Sequence, residues 1–260
     1  MKLNFSKYQG TGNDFILIDN RLGSLDLNRA KISELCNRRF GIGGDGLILL
    51  NSHPEYDFRM SNYNADGGEC TMCGNGGRAL VQFAFDLGIK KEFYRFLAGD
   101  GAHEAIIDRS GSVQLKMKDV LELRKTPVGM ALDTGSPHLV VLTKDLLGLD
   151  VASEGRRLRT SSLFMPSGIN VNFVEIKDSN FFIRTYERGV EDETLSCGTG
   201  AIASAIVCTL SDTEISKKRE VIIQCQGGKL SVRFERLSEN EFKDIWLFGE
   251  VKLVFQGSVE

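Results

Sequence analysis

The sequence predicts an α+β protein of two pseudo-symmetric domains, each a central helix wrapped by mostly antiparallel strands, with the active site in the cleft between them. Three observations lead there. CGNGG (73–77) and CGTGA (197–201) are near copies about half a chain apart, each a cysteine set directly before a Gly-polar-Gly turn. Short runs of alternating apolar residues outnumber helical runs. Each copy of the cysteine motif opens a helical run whose apolar residues need a cover that only the strands can supply.

The elements follow in order. Residues 29–39 read as a helix with Ile32, Leu35 and Cys36 on one face. YNADGGE (63–69) reads as a strand leading to Cys73, and residues 76–87 as a helix grouping Leu80, Phe83, Ala84 and Leu87, stopped by Gly88. Residues 103–117 read as a hairpin turning at Ser110 and Gly111, with Val113, Leu115 and Met117 alternating. A second hairpin spans 171–186 with its turn at 178–180, and TYERGVEDE (185–193) reads as a strand leading to Cys197. Residues 199–210 are small and apolar on nearly all sides, which predicts a buried helix. A third hairpin spans 219–235, turning at Gly227 and Gly228, with Leu230, Val232 and Phe234 on one face. In both halves a glutamate, Glu69 or Glu193, lies four residues before the cysteine. The first domain is expected over 1–118 and the second over 119–260, with the tail from about 250 to 260 packing on the first and the changeover near 119–127.

Bulk properties narrow the class. A chain of 260 residues holds one large or two medium domains, and 42% hydrophobic with 26% charged residues is ordinary for a folded protein. A net charge of -3 without a dense Lys/Arg block argues against nucleic acid and anionic membrane. The longest apolar run, 201–208, is too short to span a bilayer. The first residues carry no apolar core of a signal peptide, so a cytoplasmic protein with its six cysteines reduced is expected. Three histidines and scattered cysteines make a poor metal case.

The chemistry centres on Cys73 and Cys197. A thiol at a helix start lies in the positive end of the backbone dipole, which favours thiolate. The amides of Gly74, Asn75 and Gly76, and of Gly198, Thr199 and Gly200, lack intrahelical partners and can hold a carboxylate. Two thiols facing each other across one carbon can remove a proton from one side and return one to the other, which is racemase or epimerase chemistry. The alternative is two structural cysteines beside glycine turns, which the repetition disfavours. Cys70 and Cys73 form a C-x-x-C, but no second pair exists for zinc and Gly-Asn-Gly-Gly downstream is wrong for a redox motif. Cys36, Cys208 and Cys225 read as core. GIGGDG (41–46) fits a nucleotide fingerprint in letters only, since a helix precedes it and a strand follows. A surface ion pair is the alternative for Glu187 and Arg188, and a structural role for His138.

The chain closely resembles the diaminopimelate epimerase family through eight blocks in register: GTGNDF (10–15), RRFGIGGDGLILL (38–50), YNADGGE (63–69), MCGNGGR (72–78), GSPH (135–138), GINVNF (168–173), YERG (186–189) and SCGTGA (196–201). The resemblance implies a two-domain fold, no pyridoxal phosphate, no metal, and interconversion of LL- and meso-diaminopimelate on the route to lysine and peptidoglycan. By position it makes Cys73 and Cys197 the acid–base pair, with His138 and Glu187 beside them assisting ionisation. Gly74, Asn75, Gly198 and Thr199 would bind the reacting α-carboxylate. Asn13, Asn64, Asn170, Glu187 and Arg188 would hold the rest of the substrate, with Asn64, Asn170 and Arg188 on the distal end. It also allows a homodimer. Three departures bear on affinity: Gly46 stands where many members have Gln, Ser136 where many have Asn, and VEDETLS is one residue longer than usual. Proline racemases are the nearest rival, but they typically have His where this chain has Asn75, and they lack YERG. Phenazine-biosynthesis isomerases lack the paired cysteines. A non-catalytic thiol protein would need Cys70 and Cys73 but not Cys197.

Overall fold

Alternating apolar runs build the strands of both halves in the computed structural model, which describes residues 2–108, 112–178, 180–211 and 220–260. The chain divides into a first unit, Met1–Leu115 with Gly249–Glu260, and a second unit, Lys116–Phe248. No helix among the described residues is long and apolar enough to cross a membrane.

In the first unit the order is β1 (Leu3–Gly10), β2 (Asn13–Asp19), α1 (Arg29–Cys36), β3 (Gly46–Asn51), β4 (Phe58–Asn64), β5 (Glu69–Cys70), α2 (Gly74–Asp86), β6 (Phe93–Ala98), β7 (Gly101–Ile107) and β8 (Val113–Lys116). The last strand of the chain, Val251–Val259, runs antiparallel along β1, with Leu3 opposite Val259 and Gly10 opposite Val251. From that strand the sheet continues through β1, β2, β3, β4, β6, β7 and β8, and β5 folds back on β4. Among the described residues of this unit only β2 with β3 and β4 with β6 are parallel. Helix α2 lies against β1, β2, β3, β4, β7 and the last strand, so sheet wraps it and Ala79, Leu80, Val81, Phe83 and Ala84 are buried. Helix α1 packs outside, its Ile32, Leu35 and Cys36 closing a core with Leu3, Phe5, Ile16, Ile18, Leu47 and Leu49. It ends three residues earlier than its periodicity predicts. The Asn37 side chain takes the amides of Arg39 and Phe40, and this local turn competes with another helical turn.

The second unit repeats the plan with β9 (Leu123–Thr126), β10 (Gly129–Asp133), β11 (Pro137–Leu142), α3 (Val151–Arg159), β12 (Asn170–Lys177), β13 (Asn180–Glu187), β14 (Asp192–Thr194), α4 (Gly198–Ser211), β15 (Val221–Cys225), β16 (Gly228–Arg236) and β17 (Phe242–Gly249). Strands β9, β10, β11, β12, β13, β15 and β16 are neighbours in that order, and β14 folds back on β13. The parallel pairs, β11 with β12 and β13 with β15, fall where the first unit has its own. Helix α4 lies against β10, β11, β12, β13, β15 and β16. The correspondence extends to register. Tyr63 pairs with Glu69 and Tyr186 with Glu193, so the two glutamates hold the same place in the two halves.

Several local expectations are corrected. The runs 63–69 and 185–193 are hairpins and not single strands. Gly67 at φ +78° reverses the first, and Gly189 at φ +94° with Glu191 at φ +62° reverses the second. The third hairpin turns on Gln226 and Gly227, because Gly228 already pairs with Cys225. The turn of the first, at Ser110 and Gly111, and Ser179 in the second lie outside the described residues. Helix α3 was not anticipated. Asp150 caps it by accepting from the Ser153 amide, and Arg156, Arg157 and Arg159 occupy its last turn. A β-carbon on Gly155 would sit 2.4 Å from Cβ of Tyr186, so the helix lies flush on β13.

Candidate active site

Each central helix begins on a cysteine. The Gly77 amide donates to the Cys73 carbonyl at 2.7 Å and the Ala201 amide to the Cys197 carbonyl at 2.8 Å. Those bonds close the first turn of α2 and of α4, leaving the amides of residues 74–76 and 198–200 without carbonyls inside the helix. The tight turn also fixes residue size. A β-carbon on Gly200 would lie 2.3 Å from Oδ1 of Asn172.

In the first unit Asn13, at the start of β2, is the hub. Its Oδ1 accepts from the Cys73 thiol at 3.8 Å and from Nδ2 of Asn75 at 3.4 Å, while its Nδ2 donates to Asp45 at 2.6 Å. Asp45 and Asp14 are both held by Arg38, and Lys7 reaches Asp14 at 2.8 Å. Burial works against ionisation of Asp14, but the hydrogen bonds from Arg38 and Lys7 outweigh it and hold the carboxyl far below the usual range. Lys7 also donates to the Gly43 carbonyl and ties down the glycine-rich loop. Below the helix start lies Arg78, fully buried, donating to the Gly74 carbonyl at 3.1 Å, to Oδ1 of Asn75 at 2.9 Å and to Thr11 at 3.2 Å. Asn64 stands apart from this cluster, exposed at the end of β4 opposite Gly46. Gly46 suits its place: a β-carbon there would lie 2.6 Å from the Tyr63 carbonyl oxygen. Cys70, half-buried on β5, is pushed up to about 12 by burial first and by neighbouring Cys73 second, which makes it a poor nucleophile.

In the second unit five of the expected residues meet. His138, on β11 and fully buried, has Nε2 at 2.8 Å from the Thr199 hydroxyl and 3.0 Å from the Ser136 hydroxyl. Thr199 Oγ1 lies 3.5 Å from the sulfur of Cys197, so the imidazole reaches that sulfur through Thr199. Burial drops the His138 pKa from 6.5 to about 3, and the ring is neutral near pH 7. Glu187, ending β13, accepts from the Thr194 hydroxyl and from the Cys197 thiol. Burial pushes its carboxyl up, partly offset by those two hydrogen bonds. The longer loop before Cys197 therefore leaves Glu187 against the sulfur. Asn170 donates to Ser136 at 3.3 Å and accepts the Arg188 amide at 2.8 Å, while the exposed Arg188 guanidinium donates to the Ser167 carbonyl at 3.1 Å.

Sequence reasoning passed over Arg78, Asn172, Thr134 and Thr194. Thr134 holds the Thr199 carbonyl at 2.9 Å. Arg78 had a signal in its spacing, since a residue four places after Gly74 points its side chain back to the helix start. Asn172 had one as well, a polar residue among the apolar neighbours of VNFVEI.

Comparison with known proteins bears on these arrangements. The family model for diaminopimelate epimerase matches residues 5–120 and 130–254. A diaminopimelate epimerase of Flavobacterium psychrophilum is 49% identical over 256 residues, covering 97% of this chain and 98% of the relative. One from Chlorobaculum tepidum is 42% identical and covers 96% and 98%. Among solved structures, a phenazine biosynthesis protein of the PhzF family from Bacillus anthracis superposes with a TM-score of 0.78 at 14% identity, covering 100% of this chain and 99% of its own. A hydroxyproline epimerase from Agrobacterium vitis, solved with trans-4-hydroxy-L-proline, reaches 0.65 at 14% identity, covering 99% and 92%. At such identities the two structures speak to the fold alone.

Proposed function

The chain belongs to the diaminopimelate epimerase family, and on that premise we propose that it interconverts LL- and meso-diaminopimelate with Cys73 and Cys197 as the two acid–base groups. The observation that carries the reading is the repeated placement of a cysteine at the first turn of the central helix in both halves. Two-base chemistry needs the sulfurs on opposite faces of one α-carbon, and that arrangement is part of the proposal.

One thiolate takes the α-proton and becomes a thiol. The electron pair left on carbon spreads into the α-carboxylate. The opposite thiol gives its proton to the other face and ends as thiolate, so each turnover exchanges the two protonation states. An amino-acid α-proton is very weakly acidic, and the developing charge needs oriented dipoles. The first-turn amides of Gly74, Asn75, Gly198 and Thr199 supply them without reorganising. Buried Arg78 adds a fixed positive charge under the first helix start. Glu187 is the group in reach of the Cys197 proton: transfer from sulfur to its carboxylate leaves thiolate and neutral acid. Asn64, Asn170 and Arg188 provide donors and acceptors for the distal amino-acid end, while Asn13 holds the substrate beside Cys73. A reducing cytoplasm belongs to the same reading, since both sulfurs must stay unpaired.

The test is NMR of meso-diaminopimelate with reduced protein in deuterated water. Deuterium at the α-carbon together with the LL isomer supports the reading. Exchange on proline but not on diaminopimelate would overturn the substrate. Cys73→Ala and Cys197→Ala should each lower turnover by at least about 100-fold, the scale of a lost general acid–base group, while circular dichroism stays unchanged. Full turnover in either variant would remove the thiols from the mechanism.

A further inference from the structure

We propose that Asn172 is a positioning residue that commits His138 to the tautomer protonated on Nε2, so that His138 donates to Thr199 and Thr199 donates to the sulfur of Cys197. The inference rests on the reading of Cys197 as an acid–base group. It goes beyond that reading in assigning a direction to the hydrogen bonds that run from Asn172 through His138 and Thr199 to the sulfur, with Nδ2 of Asn170, 3.5 Å from Nε2, turning its hydrogen to Ser136 instead.

The direction follows from one atom that can only accept. Asn172 is fully buried on β12, and one end of its amide lies 3.1 Å from the Leu139 carbonyl oxygen. Two oxygens cannot share that contact, so the end facing Leu139 is Nδ2. The other end, Oδ1, then accepts from the Thr185 hydroxyl at 3.0 Å. The same Nδ2 lies 2.9 Å from Nδ1 of His138 and brings it a hydrogen. Nδ1 must therefore carry the lone pair, and in a neutral imidazole the remaining hydrogen belongs to Nε2. From Nε2 the shortest contact is the Thr199 hydroxyl at 2.8 Å. A hydroxyl that accepts from the ring turns its own hydrogen outward, and the Cys197 sulfur is 3.5 Å away. Ser136 sits beside both, 3.0 Å from Nε2 and 3.3 Å from Thr199 Oγ1, and takes the Asn170 amide hydrogen at 3.3 Å.

The consequence is a division of labour at Cys197. His138 in this tautomer holds no lone pair toward the sulfur and cannot receive its proton, so proton acceptance falls to Glu187. The relay instead supplies a hydrogen bond that strengthens when the sulfur is charged. Hydrogen bonds to charged groups are the strong ones, so losing this one should slow turnover by about 10- to 100-fold.

The first experiment uses the wild-type protein without substrate. Nitrogen-15 shifts of labelled histidine report the tautomer directly, and with three histidines in the chain His138→Gln assigns the signal. Protonated Nε2 with bare Nδ1 near pH 7 is expected; protonated Nδ1 or imidazolium overturns the proposal whatever the activity. The second experiment follows α-deuterium exchange. Thr199→Val should cost about 10- to 100-fold and leave the tautomer signal in place. Asn172→Asp, whose carboxylate can only accept, should move the ring hydrogen to Nδ1 and cost a similar factor. Combined with Thr199→Val it should cost little more than Thr199→Val alone, because both cut one relay. Full additivity, or Asn172→Asp with a moved tautomer and undiminished turnover, would refute the positioning role. Absence of exchange in the wild type would strike the functional reading while leaving the tautomer result standing.

Discussion

A histidine sealed from water resists the proton it would take on a surface. His138 drops from 6.5 to about 3 on folding because burial penalises the charged ring. Between those values the unfolded chain binds the extra proton and the native chain does not. Its contribution to stability is therefore whole above about pH 6.5 and is lost as pH falls toward 3. Urea unfolding should show wild-type stability falling with a component of up to about 1.4 kcal/mol per pH unit from this one group. His138→Gln should lack that component, and equal slopes from pH 6 to 4 in the two proteins would contradict the assignment. Much of the site was legible at this scale. Cys73, Cys197 and Thr199 stood in a repeated motif whose chemistry is local to the chain, while Glu187 was reached only through the family resemblance. Asn172 and Arg78 were not legible, because their work is done for other residues: one aligns a ring 34 positions earlier, the other curls back under its own helix. Nothing in a one-dimensional pattern separates such residues from a tolerated buried polar group.

Elements were legible where periodicity was clean, and α3 shows where it fails. Its buried positions, Val151, Gly155 and Leu158, follow helical spacing, but the middle one has no side chain to register as apolar. The internal repeat carried the missing information. α1 falls between β2 and β3, and α3 falls between β11 and β12, at the same point of the second half. Laying the halves over each other around the cysteines and continuing outward would have demanded a helix there. The contact also makes a sharp prediction. Gly155→Ala places a methyl group 2.4 Å from Cβ and 2.6 Å from Cγ of Tyr186, the root of a fully buried side chain that cannot swing away cheaply. Overpacking of this kind costs about 1–3 kcal/mol, against the gain of roughly 1 kcal/mol that alanine brings to an unconstrained helix. The urea midpoint of Gly155→Ala should fall. A rise would mean that α3 does not lie flush on β13.

At the scale of the whole molecule, the final strand is the least local feature. Val251–Val259 pairs along all of β1 and lies against α2, so the unit that carries Cys73 is assembled from both ends of the chain. The sequence reading assigned the tail to the first half but gave neither β1 as its partner nor the register, because a terminal strand states its own conformation but not its partner. Ending the chain after Gly249 should leave β1 as a bare edge and uncover one side of α2. Amide hydrogen exchange should then rise across β1, β2 and α2 while β11 and β12 keep their protection. Uniform protection in the truncated protein would show that the strand is dispensable.

That same strand sets an order of events during synthesis. The second unit is contiguous and has all its strands in hand before the last residues are made. The first unit starts earlier yet waits for residues 251–259, since that strand and β1 must close a loop that contains the whole second unit. Chains usually fold domain by domain from the N-terminus as they are synthesised; here the half made first is finished last. Until residues 251–259 are made, the helix that starts at Cys73 has an open flank, so a chain interrupted short of that strand carries both cysteines and only one completed half.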